Sequence, residues 1–383
     1  MIQTRTRAEM TTCDATDFTA RWRRNLRALL AVAGLTIVSG CAGGASLPYS
    51  TAMPPTALVV ARDAGISDQR ARFRAIFCAI REDHGRDLPF DRPCTEALTE
   101  LEGEGISVAM SSWRTPSLSR LRVVVVPGIF GECVAPRVLP FQDTASHLIE
   151  AHGLRAIEWL PVDGRSSSAR NAELIRNWLA AHPTAPDLHL VLIGYSKGAS
   201  DIMEAVGRFP DAIPPGTSIV SVAGVISGTP LADDWERRYQ TAGWLPFPTC
   251  GPGDGGGVTS LTRRERMRWL AANPLPPRYK YYALPAFGPR AVISRMLQPF
   301  HRQLSSIDER NDGQVLYQDG VFPGGALLGY ANADHWAVTL PMARGLPVSR
   351  PLVNRNAFPR TVLLEAILGF IASADVAEAD GDP

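Results

Sequence analysis

The sequence predicts an α/β fold, a mostly parallel sheet covered by helices on both faces. Two observations carry that expectation. Leu190 to Ile193 is an uninterrupted aliphatic run, as a central parallel strand buried on both sides requires. It enters Gly194-Tyr195-Ser196-Lys197-Gly198 and then a helical stretch with Ile202, Val206 and Phe209 on one face, stopped by Pro210. Further aliphatic runs and helical patterns alternate along the chain from Leu121 onward, the signature of parallel strands joined by crossover helices. A chain of 383 residues holds one large domain of this kind with extensions. Lys and Arg number 39 against 38 Asp and Glu, a balance that gives no reason to expect nucleic acid as a partner.

The first forty residues read as a targeting segment rather than as fold. Arg21, Arg23, Arg24 and Arg27 precede an uncharged apolar run from Ala28 to Val38, which is short of the about 20 residues that span a bilayer. The run ends in Val38-Ser39-Gly40-Cys41, followed by Ala42. This resembles the lipobox of bacterial lipoproteins. The resemblance implies a signal peptide over 1–40, a lipid on Cys41, and a place in the cell envelope facing the periplasm, at the outer membrane because no Asp follows the cysteine. Residues 41–62, small and proline-containing, read as a tether.

Residues 63–115 read as an N-terminal helical extension. Asp68 to Arg81 carries Phe73, Ile76, Phe77 and Ile80 at helical spacing, and Pro93 to Leu101 makes a second short helix. The main domain is expected over 116–374. Leu121 to Val126 is a buried strand running into Pro127-Gly128-Ile129-Phe130-Gly131-Glu132-Cys133. A helix around Thr144 to Ala151, a strand from Leu154 to Leu160, and a helix capped by Ser168 follow. The strand at Leu190 comes next, then another from Ser218 to Val225. Asp233 to Pro277, with Trp235, Tyr239, Trp244, Phe247 and Trp269 and the loop Gly251 to Gly257, reads as an irregular cap insertion. Tyr279 to Leu284 and Ala326 to Tyr330 are the last strands. A helix through Val292, Met296, Phe300 and Leu304, bent at Pro299, lies between them, and Thr361 to Ile371 is the terminal helix. The acidic tail over 375–383 is expected to be disordered.

A serine on a sharp turn between strand and helix is placed for nucleophilic chemistry, with small residues on either side letting the two elements approach. Its hydroxyl needs a base, usually histidine, held by an acid. In this setting acid and histidine follow the serine in the chain. Of seven histidines only His301 and His335 qualify, and His301 falls in a helix. His335, in Asn332-Ala333-Asp334-His335-Trp336, follows the last strand and is the expected base. Asp308, Asp312 and Asp319 are the candidate acids, with Asp312 preferred because Asn311-Asp312-Gly313 makes a sharp turn. Two backbone N–H groups must meet the oxyanion: that of Lys197, and one from the loop after Val126, Ile129 first and Phe130 as the alternative.

With these residues in place, Leu121 to Ile371 resembles the α/β-hydrolases, and among them the bacterial lipases and esterases. Ser196 matches the family nucleophile and His335 its base. Asn311-Asp312-Gly313 is similar to the acid-bearing turn of bacterial lipases, and Gly228-Thr229-Pro230-Leu231-Ala232-Asp233 resembles a segment after their sixth strand. Pro127-Gly128 replaces the usual His-Gly, and Lys197 a more usual neutral residue. The resemblance implies a serine hydrolase cleaving carboxylic esters, with an acyl or lipid-like substrate, through an acyl-serine intermediate. Thioester cleavage or acyl transfer would use the same residues. A non-catalytic lipoprotein using its aromatic insertion to bind a partner is the alternative of a different class. No metal or organic cofactor is implied.

Six cysteines are present. Cys13 lies in the leader and Cys41 would carry lipid, so Cys78, Cys94, Cys133 and Cys250 remain for two disulfides in an oxidising compartment. None of them has metal-ligand spacing with histidine. Cys78 and Cys94 are the natural local pair, closing a short loop worth about 3 kcal/mol. Cys133 and Cys250 both lie in loops leaving the carboxyl edge of the sheet, which pairs them across the rim.

Overall fold

In a computed structural model the chain is described over residues 65–107, 110, 113–134, 138–242, 251, 253–353 and 357–379. The expected leader, Cys41, the tether and Cys250 lie outside these residues. Seven strands form one sheet in the order β1-β7-β6-β5-β4-β2-β3, every adjacent pair parallel. They are β1 (Ser67–Asp68), β2 (Leu121–Val126), β3 (Ile157–Trp159), β4 (His189–Tyr195), β5 (Ser218–Val222), β6 (Lys280–Leu284) and β7 (Ala326–Leu327). The longer helices are α1 (Arg70–Asp83), α2 (Ala145–His152), α3 (Ser168–Ala181), α4 (Lys197–Arg208), α5 (Pro230–Ala242), α6 (Arg263–Ala272), α7 (Gln298–Ser305) and α8 (Arg360–Ala379).

Alternation along the strands divides the core into two layers. Val123, Val125, Val191, Ile193, Val220 and Val222 face α1, α2 and α8 through Phe73, Phe77, Leu148, Val362 and Ile367. Val124, Val126, Leu190, Leu192 and Ile219 face α3 and α4 through Ile175, Leu179, Ile202 and Val206. Both faces of the central strands are therefore dry, which is why they read as continuous aliphatic runs. After β3 the chain returns to lay β4 beside β2 and then builds outward the other way through β5, β6 and β7, with the N-terminal β1 closing that edge. The crevice where the direction switches, at the carboxyl ends of β2 and β4, is where this architecture places a site.

Several expectations need correction. Within the expected helical extension, Ser67 and Asp68 belong to the sheet, pairing with Ala326 and Leu327, and α1 shares the main core. The second short helix covers only Cys94–Ala97. Ser167, not Ser168, caps α3, its hydroxyl accepting from the Arg170 N–H at 3.2 Å. The helix through Val292 shrinks to α7, where Pro299 sits in the first turn; a proline there lacks only an N–H that would have had no partner, so no bend results. The insertion over 233–277 is not irregular throughout, since it contains most of α5 and all of α6. Its ordering is polar: Arg263 pairs with Asp319 at 2.6 Å, the Arg263 N–H donates to Asp233 at 3.0 Å, and Asp254 accepts from the Ser167 N–H and hydroxyl at 2.7 and 2.6 Å. The terminal helix runs through Asp375 to Ala379, so the acidic tail is helical that far.

Cys78 and Cys94 are free thiols in contact, not a disulfide. The Cys78 thiol donates to the Cys94 sulfur, which pushes Cys78 up and Cys94 down. The two helices bring the pair together as their spacing predicts, but the two sulfurs are not bonded. Cys133 is disulfide-bonded, with a partner outside the described residues.

Candidate active site

The site begins where β4 turns into α4. Ser196 adopts φ 54° and ψ −124°, a left-sided backbone that a non-glycine residue holds only when its surroundings impose it. The imposing contacts are explicit. A Cβ on Gly194 would lie 2.4 Å from the Ala199 Cα, and one on Gly198 would lie 2.1 Å from the Val126 carbonyl oxygen. Both glycines of the G-x-S-x-G pattern are thus required by backbone approach. The Ser196 carbonyl accepts from the N–H groups of Ala199 and Val225, each at 3.2 Å, which fixes the turn from the far side.

His335 comes from the loop after β7, and Asp334 holds that loop. One Asp334 oxygen accepts from the N–H groups of Trp336 and Ala337 at 2.9 and 2.7 Å, and the other from the Ser294 N–H and hydroxyl at 2.8 and 2.5 Å. The Tyr195 hydroxyl donates to the His335 carbonyl at 2.9 Å, tying this loop to the residue before the serine. Asp312 follows from its turn: its Oδ1 accepts from the N–H groups of Gln314 and Val315 at 2.8 and 2.7 Å, and Gly313 takes φ 90°. The Thr229 hydroxyl donates to the Gln314 carbonyl at 2.6 Å, which is what the Gly228–Asp233 segment contributes.

The structure brings Ser196, His335 and Asp312 into one hydrogen-bonded chain. His335 Nδ1 lies 2.6 Å from Asp312 Oδ2, and His335 Nε2 lies 2.8 Å from Ser196 Oγ. An ionised carboxylate only accepts, so the proton belongs on Nδ1 and the lone pair of Nε2 faces the hydroxyl. All three side chains are buried. The other candidates are engaged elsewhere. Asp308 pairs with Arg310 at 2.7 Å, Asp319 with Arg263, and His301 Nε2 lies 3.2 Å from the Gly288 carbonyl.

For the oxyanion, the Phe130 N–H already donates to the Gly164 carbonyl at 3.4 Å. The N–H groups of Ile129 and Lys197 have no acceptor among the described residues. A Cβ on Gly128 would meet the Ser196 Cβ at 2.8 Å, so the loop carrying Ile129 packs directly on the serine. Sequence reasoning missed one partnership here. Lys197 Nζ is buried against Asp201 at 2.6 Å, and Asn171 Nδ2 donates to Asp201 at 2.7 Å. The i, i+4 spacing was the available signal.

No family model and no curated protein sequence matches the chain. Among solved structures it is similar to the metagenomic carboxyl esterase MGS0156, with 38% identity over 84% of this chain and 97% of the other and a TM-score of 0.78. It also matches a mature lipase from Bacillus licheniformis, BlEst2, at 20% identity over 62% of this chain and 94% of that one, TM-score 0.45. A third match is the RedJ thioesterase of the Streptomyces coelicolor prodiginine pathway, at 14% identity over 68% and 90%, TM-score 0.32. Only the first is close enough to speak for more than fold. With a sheet of this order and a relative of that identity along nearly its full length, the chain belongs to the carboxylic ester hydrolases of the α/β-hydrolase fold.

Proposed function

We propose that this protein is an envelope-anchored serine esterase in which Ser196 is the nucleophile, His335 the base and Asp312 the orienting acid. The observation that carries the proposal is the continuous chain of contacts from Asp312 through His335 to Ser196 at 2.6 and 2.8 Å. Ser196 Oγ attacks the ester carbonyl while His335 Nε2 takes its proton, and Asp312 balances the imidazolium. The N–H groups of Ile129 and Lys197 receive the oxyanion. Collapse of the tetrahedral intermediate breaks the bond to the alcohol, which leaves with the proton from His335, and the acyl group stays on Ser196. Water, deprotonated by the same imidazole, then releases the carboxylic acid and restores the serine.

An acyl or lipid-like substrate is supported by the apolar group beside the serine. Val225, whose N–H bonds the Ser196 carbonyl, clusters with Ala232, Val258, Leu261 and Val315, and Ile129 packs against them. Apolar packing of this kind directly around the serine turn suits an uncharged acyl group better than a charged one. The lipobox-like Val38-Ser39-Gly40-Cys41 supports anchoring through a lipidated Cys41, and several acyl chains there would make the attachment stable. A fluorophosphonate probe tests the chemistry: it is expected to add once, at Ser196, in the folded protein. A folded protein that takes up no label, or takes it up at another residue, contradicts the assignment. Mass spectrometry of the mature N-terminus tests the anchor, which fails if the chain starts unmodified at any residue other than Cys41.

A further inference from the structure

On the face of the sheet carrying α1, α2 and α8, a second group of side chains converges. His84 ends α1, His147 and His152 belong to α2, and Glu365 projects from α8. Glu365 Oε2 lies 2.9 Å from His84 Nε2 and 3.4 Å from His147 Nε2, and Oε1 lies 3.1 Å from His152 Nε2. The three imidazole rings are mutually adjacent, with centroids 5.5 to 5.9 Å apart. The Glu365 side chain is wholly buried, and among the described residues no lysine or arginine contacts it. Its remaining partner is the Thr115 hydroxyl, at 2.6 Å. A carboxylate removed from water needs compensating positive charge close by.

We propose that His84, His147, His152 and Glu365 form a structural binding site for a divalent transition-metal ion, zinc in the first instance. Three imidazole nitrogens and one carboxylate oxygen are a donor set that suits zinc and does not suit magnesium or calcium. One donor atom from each residue lies within 4.8 Å of every other. In a tetrahedral zinc site with bonds of about 2.1 Å, neighbouring donors are about 3.4 Å apart, so small side-chain rotations complete the site.

Three details favour an ion over a plain hydrogen-bonded cluster. His152 Nε2 is buried and makes no hydrogen bond of acceptable geometry although a carboxylate oxygen is 3.1 Å away, as expected of a nitrogen aimed between partners rather than at one. Asp83 lies 3.1 Å from His84 Nδ1, the carboxylate–imidazole arrangement that orients a metal-bound histidine through its other nitrogen. A pocket of about 290 Å³, lined by the three histidines with Asp83, Arg114 and Thr115, opens onto the group, and Arg114 lies 3.5 Å from Asp83 there. Four protein ligands leave no open position, so the role is to clip three segments distant in sequence, not to activate water.

The test is titration of the metal-stripped full chain with zinc chloride by calorimetry, with magnesium chloride in parallel. One equivalent of zinc is expected to bind and to raise the melting temperature, with no magnesium binding. His147→Asn and His152→Asn, both at partly exposed positions, should each weaken zinc binding at least about tenfold while leaving the far-ultraviolet spectrum unchanged. A Cys78→Ser, Cys94→Ser variant should bind zinc as the parent does. Absence of zinc binding by the parent overturns the proposal. So does binding that survives both histidine substitutions, or binding that disappears with the two thiols, which would put the ion on Cys78 and Cys94.

Discussion

Lys197 and Asp201 form a buried ion pair one helical turn apart, directly behind the serine elbow, with the ammonium 2.6 and 2.9 Å from the two carboxylate oxygens. The charge of the residue after Ser196 is thus neutralised inside its own helix, and its backbone N–H has no acceptor among the described residues. Asp201→Ala strands the ammonium without water and is expected to cost about 3–5 kcal/mol of stability. Lys197→Met combined with Asp201→Leu removes both charges and should recover most of that loss, leaving the 197 N–H in place. Urea unfolding of the three variants checks this; a double variant as unstable as Asp201→Ala would refute it.

Gly128 is the residue on which the serine rests. In Gly128→Ala the new methyl would stand 2.8 Å from the Ser196 Cβ and 3.2 Å from its Oγ. Displacing the hydroxyl by a fraction of an ångström should lower kcat/KM about 10²-fold with little change in melting temperature. Gly105→Ala, where the nearest atom is 3.7 Å away, is the control and should behave as wild type. Equal activity of Gly128→Ala and Gly105→Ala would show that the loop does not press on the serine.

Cys133 is disulfide-bonded while Cys78 and Cys94 are free. Alkylation of the unreduced mature protein should therefore mark Cys78 and Cys94 alone, and peptide mapping should recover Cys133 joined to Cys250. Because Cys133 lies in the one-turn helix following Gly128 and Ile129, reduction is expected to lower ester turnover before it lowers global stability. A Cys78–Cys94 peptide under the same conditions would contradict the structure.

Asp319 supplies a pH dependence. Burial pushes its carboxyl up to about 7, against the opposing pull of Arg263. A raised acid holds its proton more tightly folded than unfolded. Its contribution is therefore greatest below the unfolded value near 3.8 and is lost as pH rises to about 7, by at most about 4 kcal/mol. Asp319→Asn should flatten the decline in melting temperature between those limits. A variant whose profile parallels wild type would assign the dependence elsewhere.

The parts legible in the sequence were those where burial leaves a continuous pattern. β2 was bounded correctly because both its faces are dry, and the serine turn announced itself by glycines that the backbone contacts at Val126 and Ala199 demand. β1 was invisible, since two residues at a sheet edge carry no periodicity. α6 was hidden because Arg263 and Arg266 occupy its buried side, one held by Asp319 and the other stacked 4.8 Å from the Trp269 ring, so its apolar pattern is absent. Asp312 could be preferred over Asp308 and Asp319 only by its turn; the structure brings it alone of the three against His335 and engages the other two with Arg310 and Arg263. The His84, His147, His152 and Glu365 cluster had no signal at all, its members being gathered from three segments by tertiary packing.

The most direct measurement is the rate of hydrolysis of a short p-nitrophenyl ester by Ser196→Ala beside wild type, both shown to be folded by their melting temperatures. Loss of about 10⁴-fold or more in kcat, matched by His335→Ala, is the expected result. Turnover by folded Ser196→Ala at the wild-type rate would contradict the account.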